Sequence, residues 1–216
     1  MSNYTRSLAY PWALTGIFAA VHLVITLIPY SIGVGGGGEI SFGLVSAPIV
    51  GFLLGPFFGV IAAVIGSIIA MFINPGIALI GPFTVIATAA GAYAAGAMRT
   101  KLRVTIPALY LVAMGLFLVS PIGLLVPQFL LFHFIVFLLS LIFFVPGFSK
   151  MLMEPLKLER SFNRPSGFAS LWLLSIVAVT LDNVVGSAMG AYYFIAAFSM
   201  DPAALAGLFA LGIPVI

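Results

Sequence analysis

The sequence predicts an all-α protein, a polytopic bundle of helices embedded in a lipid bilayer, and three observations predict it. Of 216 residues, 63% are hydrophobic and 6% charged, against about 25% charged in soluble domains. Such a chain lacks the polar groups to cover its own surface in water. The apolar stretches, such as 50–73 and 130–145, are continuous, whereas a transmembrane barrel alternates with period two. Helices are then the remaining way for the backbone to satisfy itself in lipid. Finally, the basic residues punctuate the chain in clusters, as they do between membrane spans.

The eight basic residues are Arg6, Arg99, Lys101, Arg103, Lys150, Lys157, Arg160 and Arg164. Placing all of them on the cytoplasmic side puts the N-terminus inside and an even number of spans between clusters. MSNYTR leads into the apolar stretch without a small-residue cleavage pattern, so it reads as the start of a first span. Span 1 is expected over 11–30. Span 2, over 40–54, ends at Gly55-Pro56, and span 3, over 57–73, ends at Asn74-Pro75-Gly76. Both are shorter than the roughly 20 residues of a full crossing, which suggests tilting. Span 4 covers 77–98. The stretch 104–147 breaks at Ser120-Pro121 and Pro127, where proline removes a backbone donor, giving spans over 104–120 and 128–146. A polar loop over 148–165 precedes a seventh span, 168–200. The final segment, 203–216, is too short to cross and reads as an incomplete or re-entrant eighth. The whole of 1–216 is expected to form one transmembrane domain.

Small residues recur every four positions: Gly51, Gly55, Gly59, Ala63 and Ser67; Ala87, Gly91 and Ala95; and Ala9, Ala13, Gly16 and Ala20. Such stripes let helix backbones approach closely. The first two suit packing within the bundle, whereas the stripe on span 1 suits either packing or a partner protein.

Asp182 is the only charged residue predicted inside a span. An acid at that depth costs at least about 2.5–3.5 kcal/mol on insertion scales, so it is expected to be buried in the bundle and functional. Asn183 beside it adds a donor and an acceptor. The competing reading is a helix-locking hydrogen bond, with His133 or Thr84 as partner. The topology places Asp182, His133, Gln128, Asn74 and Thr84 in the outer half of the membrane, which predicts an outward-facing polar pocket. Tyr192, beside Tyr193, suits either stacking on a flat ligand or the aromatic belt. His22 reads as a satisfied packing histidine, and Trp172 as an interface anchor. The glycine run Gly35, Gly36, Gly37 and Gly38, followed by Glu39, is expected to be flexible and to act as a lid over the pocket. No lysine follows it, so a phosphate cradle is not indicated.

The chain has no cysteine and no cluster of acidic metal ligands, so neither metal nor cofactor is expected. It lacks HExxH and GxSxG, and Asp182 with His133 does not make a triad, so no catalytic residues and no enzymatic activity are expected. Nucleic acid is not an expected partner; lipid is.

The stretch GLVSAPIVGFLLGPFFGVIAAVIGSIIAMFINP (43–75), the segment LDNVVGSAMG (181–190), the small-residue face of span 1 and the long loop between spans 1 and 2 resemble the substrate-binding S-components of energy-coupling factor (ECF) transporters. The resemblance implies a six-helix S-component-like core, which the seven spans exceed. It implies a prokaryotic cell membrane and capture of a vitamin or similar small nutrient from outside, with Asp182, Asn183, His133, Gln128, Asn74, Thr84 and Tyr192 as candidate contacts. Ala9, Ala13, Gly16 and Ala20 would dock on a transmembrane coupling subunit, two ATPase subunits would supply the energy, and the loop at Gly35–Gly38 and Glu39 would gate. The alternative is an ion- or proton-coupled secondary transporter using Asp182.

Overall fold

The computed structural model describes residues 9–28, 32–34, 38–154 and 165–212. Among them are nine α-helices: α1 (Ala9–Thr26), α2 (Gly43–Leu54), α3 (Pro56–Ile73), α4 (Phe83–Met98), α5 (Thr105–Leu118), α6 (Pro127–Leu141), α7 (Pro146–Met153), α8 (Pro165–Phe198) and α9 (Pro202–Gly212). Five helical stretches are long and apolar enough to cross a membrane: Ala9–Thr26, Pro56–Ile73, Lys101–Leu118, Pro127–Phe144 and Gly167–Phe198; Gly43–Leu54 and Phe83–Met98 are shorter apolar helices. Large apolar side chains face outward along them, Phe72 at 84% and Phe168 at 75% exposure, a surface that only lipid tolerates. The chain is an all-helical, multi-pass membrane protein.

Punctuation residues set the boundaries. Gly55, at φ +85°, turns the chain from α2 into α3, and Pro56 starts the new helix where its missing N–H costs nothing. Span 4 begins later than expected, at Phe83. Asn74 instead caps a short 3₁₀ turn, Pro75–Ile77, by accepting from the Gly76 N–H, and Gly81 takes φ +57° before Pro82. The polar loop expected over 148–165 begins as a helix, α7, opened by Pro146. The last segment forms α9, capped by Asp201, whose Oδ2 accepts from the Ala204 N–H at 3.0 Å. Leu205 is buried, and the Phe209 ring packs on Phe117 and Phe129 at centroid distances of 5.6 and 5.8 Å. The helix therefore folds back on α5 and α6.

Part of the glycine-rich connection pairs as two short strands. Strands β1 (Ile32–Val34) and β2 (Gly38–Ile40) pair antiparallel, with Gly33 opposite Glu39 and Val34 opposite Gly38. Backbone pairing satisfies N–H and C=O groups that apolar surroundings would leave costly. Gly35, Gly36 and Gly37 lie outside the described residues.

Contacts align the helix ends. Arg99, just past α4, donates through Nη1 to the Phe52 carbonyl near the end of α2, with its guanidinium 4.7 Å from the Phe52 ring centre. Arg103 lies 5.7 Å from the Phe144 ring, just ahead of α7 and Lys150. Arg99, Lys101, Arg103 and Lys150 thus share one end of the bundle, as the charge pattern requires. At the opposite end, β2 meets the 3₁₀ turn and Tyr192 reaches the C-terminal turn of α5.

The bundle has two halves. In the first, α1 packs on α2 and α3, and α2 and α3 pack on each other and on α4; in the second, α5, α6 and α7 pack on α8. The halves meet chiefly along α4 and α8, the most extensive helix pairing among the described residues.

Close approach within the first half is set by the predicted stripes. A Cβ on Gly59 would lie 2.6 Å from the Gly51 Cα, one on Gly96 would lie 2.5 Å from the Pro56 nitrogen, and one on Gly51 would collide with the Ala92 carbonyl. His22 ties three helices together. Ser46 Oγ donates to the Gly43 carbonyl at 3.4 Å, so it accepts from His22 Nδ1–H at 2.6 Å, and Ser67 Oγ–H then donates to Nε2 at 2.9 Å. A neutral imidazole closes that network completely, in keeping with a packing histidine.

Candidate functional site

The 34 residues of α8 span about 51 Å at 1.5 Å per residue, well beyond a hydrocarbon core of about 30 Å. Asp182 sits at the midpoint of this helix and faces Gly91, the midpoint of α4. It therefore lies near the middle of both helices.

Asp182 is 7% exposed, and its Oδ2 is buried without a hydrogen-bond partner. A Cβ on Gly91 would lie 3.1 Å from both Cβ and Oδ2 of Asp182. The glycine supplies the room that the carboxyl group occupies. The rest of this contact is also built from small residues. One turn along, a Cβ on Gly186 would lie 3.1 Å from the Ala87 Cβ, and one on Gly190 would lie 3.0 Å from Ile80 Cγ2. Asp182, Gly186 and Gly190 on α8 thus run antiparallel to Gly91, Ala87 and Ile80 on the α4 side.

Asn183 faces another way, because neighbours on a helix point about 100° apart. Its Oδ1 position lies 3.0 Å from His133 Nε2, and His133 Nδ1 donates to the Phe129 carbonyl at 2.8 Å. With Nδ1 protonated, a neutral ring has a bare Nε2, so the Asn183 amide must turn its NH₂ toward the histidine. His133 is fully buried and stacks on Phe129 at 4.1 Å. The pair bonds α6 to α8, and Tyr110, donating to the Val177 carbonyl at 2.7 Å, does the same for α5.

The structure pairs Asn183 with His133, leaves Asp182 facing Gly91, and does not gather the other candidates around them. Gln128 is exposed at the start of α6. Asn74 is exposed, with its Oδ1 on the Gly76 N–H. Thr84 accepts from the Ile80 N–H at 3.4 Å in the first turn of α4. Tyr192 is partly exposed, and its hydroxyl donates to the Leu116 carbonyl at 3.0 Å. The expected polar pocket is therefore not an open cavity. Buried polar groups in an apolar bundle pair locally or close on small residues, because empty polar space is costly there.

Two open grooves are lined by apolar side chains instead. One of about 330 Å³ lies between the ends of α4, α5 and α8, walled by Phe83, Leu116, Met189, Tyr192 and Tyr193. One of about 470 Å³ lies between α5 and α6, walled by Leu111, Met114, Leu130 and Phe134. The Tyr192-Tyr193 pair was the only sequence signal for the first. The Asp182–Gly186–Gly190 spacing was the unread signal for the α4–α8 contact.

On the outer surface of the bundle, Ala9, Ala13, Gly16 and Ala20 are all exposed along one face of α1. No atom lies within 4 Å of a Cβ built on Gly16. Outside the spans, burial lowers the Arg99 guanidinium from its ordinary value, and its Nη1 rests on the Phe52 carbonyl while its Nε is buried and unpaired. Among the described residues no cluster of three or more His, Cys, Asp or Glu could hold a metal ion. Comparison with known protein families, curated proteins and solved structures finds no match.

Proposed function

We propose that this chain is the membrane-embedded substrate-capture component of an ATP-driven importer of the energy-coupling factor kind. It takes a vitamin or similar small nutrient from the outer face of a prokaryotic cell membrane, with its N-terminus in the cytoplasm. In this reading it is not an enzyme and binds no ATP. A transmembrane coupling subunit docks on it, and two ATPase subunits drive the cycle.

The observation that carries the reading is the open face of α1. Gly51, Gly59, Gly91 and Gly186 of α2, α3, α4 and α8 are used in packing inside the chain, whereas Ala9, Ala13, Gly16 and Ala20 are exposed together. Lipid gains nothing from such a face; the backbone of a second transmembrane helix does, because it can approach closely. The resemblance of 43–75 and 181–190 to S-components points the same way.

The test has two parts. Mass spectrometry of the purified chain identifies any bound nutrient. Gly16→Leu and Ala20→Leu are then made and the complex with the coupling subunit recovered. Retained nutrient binding with loss of the complex is the expected outcome. Normal recovery of the complex from both variants, with no nutrient bound to the parent chain, would overturn the reading.

The unpartnered Asp182 Oδ2 favours one second reading, an ion- or proton-coupled secondary transporter. It predicts transport in liposomes without any ATPase, abolished by Asp182→Asn.

A further inference from the structure

We propose that Asp182 is a proton-binding site, and that the α4–α8 seam in which it sits is the interface that moves. The carboxyl group holds a proton while the seam is closed. It gives the proton up when the two halves of the bundle part and water enters.

Three observations lead there. The carboxyl is buried, its Oδ2 has no partner, and it packs directly on Gly91. An ionised carboxylate in that position would be an uncompensated charge in an apolar medium. Among the described residues no side chain supplies a counter-charge. Over Phe83–Met98, α4 carries one titratable residue, Tyr93, whose hydroxyl pairs with Thr105 at 2.7 Å. Helix α2 carries none. From α5 comes Tyr110, engaged by the Val177 carbonyl, and from α6 His133, engaged by Phe129 and Asn183. On α8 the other titratable groups are Tyr192 and Tyr193, about two turns or more away. The tight contacts along the seam leave a proton as the partner that fits. The Ala178 carbonyl oxygen, four residues back, and Asp182 Oδ2 both face the Cβ position of Gly91, at 3.4 and 3.1 Å, so a protonated carboxyl has a carbonyl on its own side of the helix to turn toward. Helical hydroxyls use that geometry, as Thr180 does on Ile176 at 2.6 Å.

The second observation is where the stitching lies. The bonds from Tyr110, His133 and Tyr192 hold α8 to α5 and α6, while Arg99 holds the α4 end to α2. The third is the hinge. The halves are joined at the basic end by residues 99–104 and by the Tyr93–Thr105 bond. Parting therefore opens the seam from the opposite end, down to Asp182. On opening, the carboxylic O–H breaks, the proton passes to water and the carboxylate is hydrated; closing reverses both. The inference holds whether or not ATPase partners are involved, so it stands or falls separately from the import reading.

The test uses the full chain in lipid bilayers. Infrared spectra at neutral pH are expected to show a protonated carboxyl band that resists deuterium exchange and vanishes in Asp182→Asn. Absence of the band from the parent chain, or its persistence in the variant, overturns the proposal. The chain has no cysteine, so Ala87→Cys, at a seam position 5% exposed, reports opening through its rate of thiol labelling. The rate is measured with and without Asp182→Asn, so that ionisation of the thiol itself cancels in the ratio. That ratio is expected to rise by about tenfold per pH unit while the carboxyl is still protonated. A ratio that stays flat with pH overturns the linkage. Loss of nutrient binding or of complex assembly would count against the import reading and leave both measurements unchanged.

Discussion

Replacing Gly66 by alanine drives a methyl group into the backbone of α1. The new carbon would lie 2.7 Å from the Ala19 carbonyl oxygen, 2.8 Å from His22 Cδ2 and 3.2 Å from the Leu23 nitrogen. Ordinary contact begins near 3.4 Å, so α1 and α3 must separate by about 0.7 Å before repulsion subsides. Ala19 and Leu23 are backbone contacts on one helix and cannot rotate away. The shift also stretches the His22–Ser67 bond, now 2.9 Å, on the residue next to the substitution. Overpacking of this kind costs about 1–3 kcal/mol, and weakening the histidine bond adds about 1 kcal/mol. The assay is unfolding in mixed micelles titrated with a denaturing detergent. Gly16→Ala is the comparison, because it adds the same methyl to the open face of α1. It is expected to be neutral, or more stable by up to about 1 kcal/mol from helix propensity. If Gly66→Ala unfolds within about 0.5 kcal/mol of the parent, or if Gly16→Ala is equally destabilised, the packing of α1 on α3 is not as described.

Three further outcomes follow from the same geometry. His22→Leu leaves the Ser67 hydroxyl without its acceptor and Ser46 Oγ without its donor and should cost about 2–4 kcal/mol, whereas adding Ser46→Ala and Ser67→Ala should recover part of the loss; micelle unfolding of the single and triple variants decides this. Arg99→Ala removes the bond to the Phe52 carbonyl and the contact with its ring, and about 1–3 kcal/mol of loss is expected. Retained stability in Arg99→Lys would contradict a role for the planar guanidinium. Asn183→Leu leaves His133 Nε2 without its partner and should loosen α6 from α8, read as faster amide exchange in both helices; exchange confined to the turn around residue 183 would argue against a shared lock.

The small-residue stripes show how far local sequence reaches. Gly51, Gly59 and Ala63 are buried, as their four-residue spacing requires, because that spacing puts them on one helix face whatever the face meets. The stripe Ala9–Ala13–Gly16–Ala20 has the same spacing and is exposed. Periodicity defines a face but not its partner. The polar residues were harder to place. Gln128 and His133 lie five positions apart on α6, so they point about 140° apart. One is exposed and the other buried. Depth alone could not distinguish them, because that depends on which side of α6 meets α8. The hairpin at Ile32–Ile40 was hidden for a similar reason: glycines carry no side-chain pattern, so nothing in VGGGGE announces two paired strands.

By itself the sequence determined that the chain lives in lipid, that it crosses as helices, where proline and glycine break them, and that the basic residues at 99–103 and 150 fall at one end of the bundle. These follow from local quantities: apolar content, continuity of runs, charge position and the backbone limits of two residue types. Tertiary structure decided which glycine meets which helix and that Asp182 closes on Gly91. It also decided that His133 pairs with Asn183 while Gln128 and Asn74 stay at the surface, and that the bundle divides along α4 and α8. Those outcomes depend on the rotation and register of helices distant in the chain. In lipid that choice rests on close packing and a few hydrogen bonds, because hydrophobic burial distinguishes little between one apolar face and another.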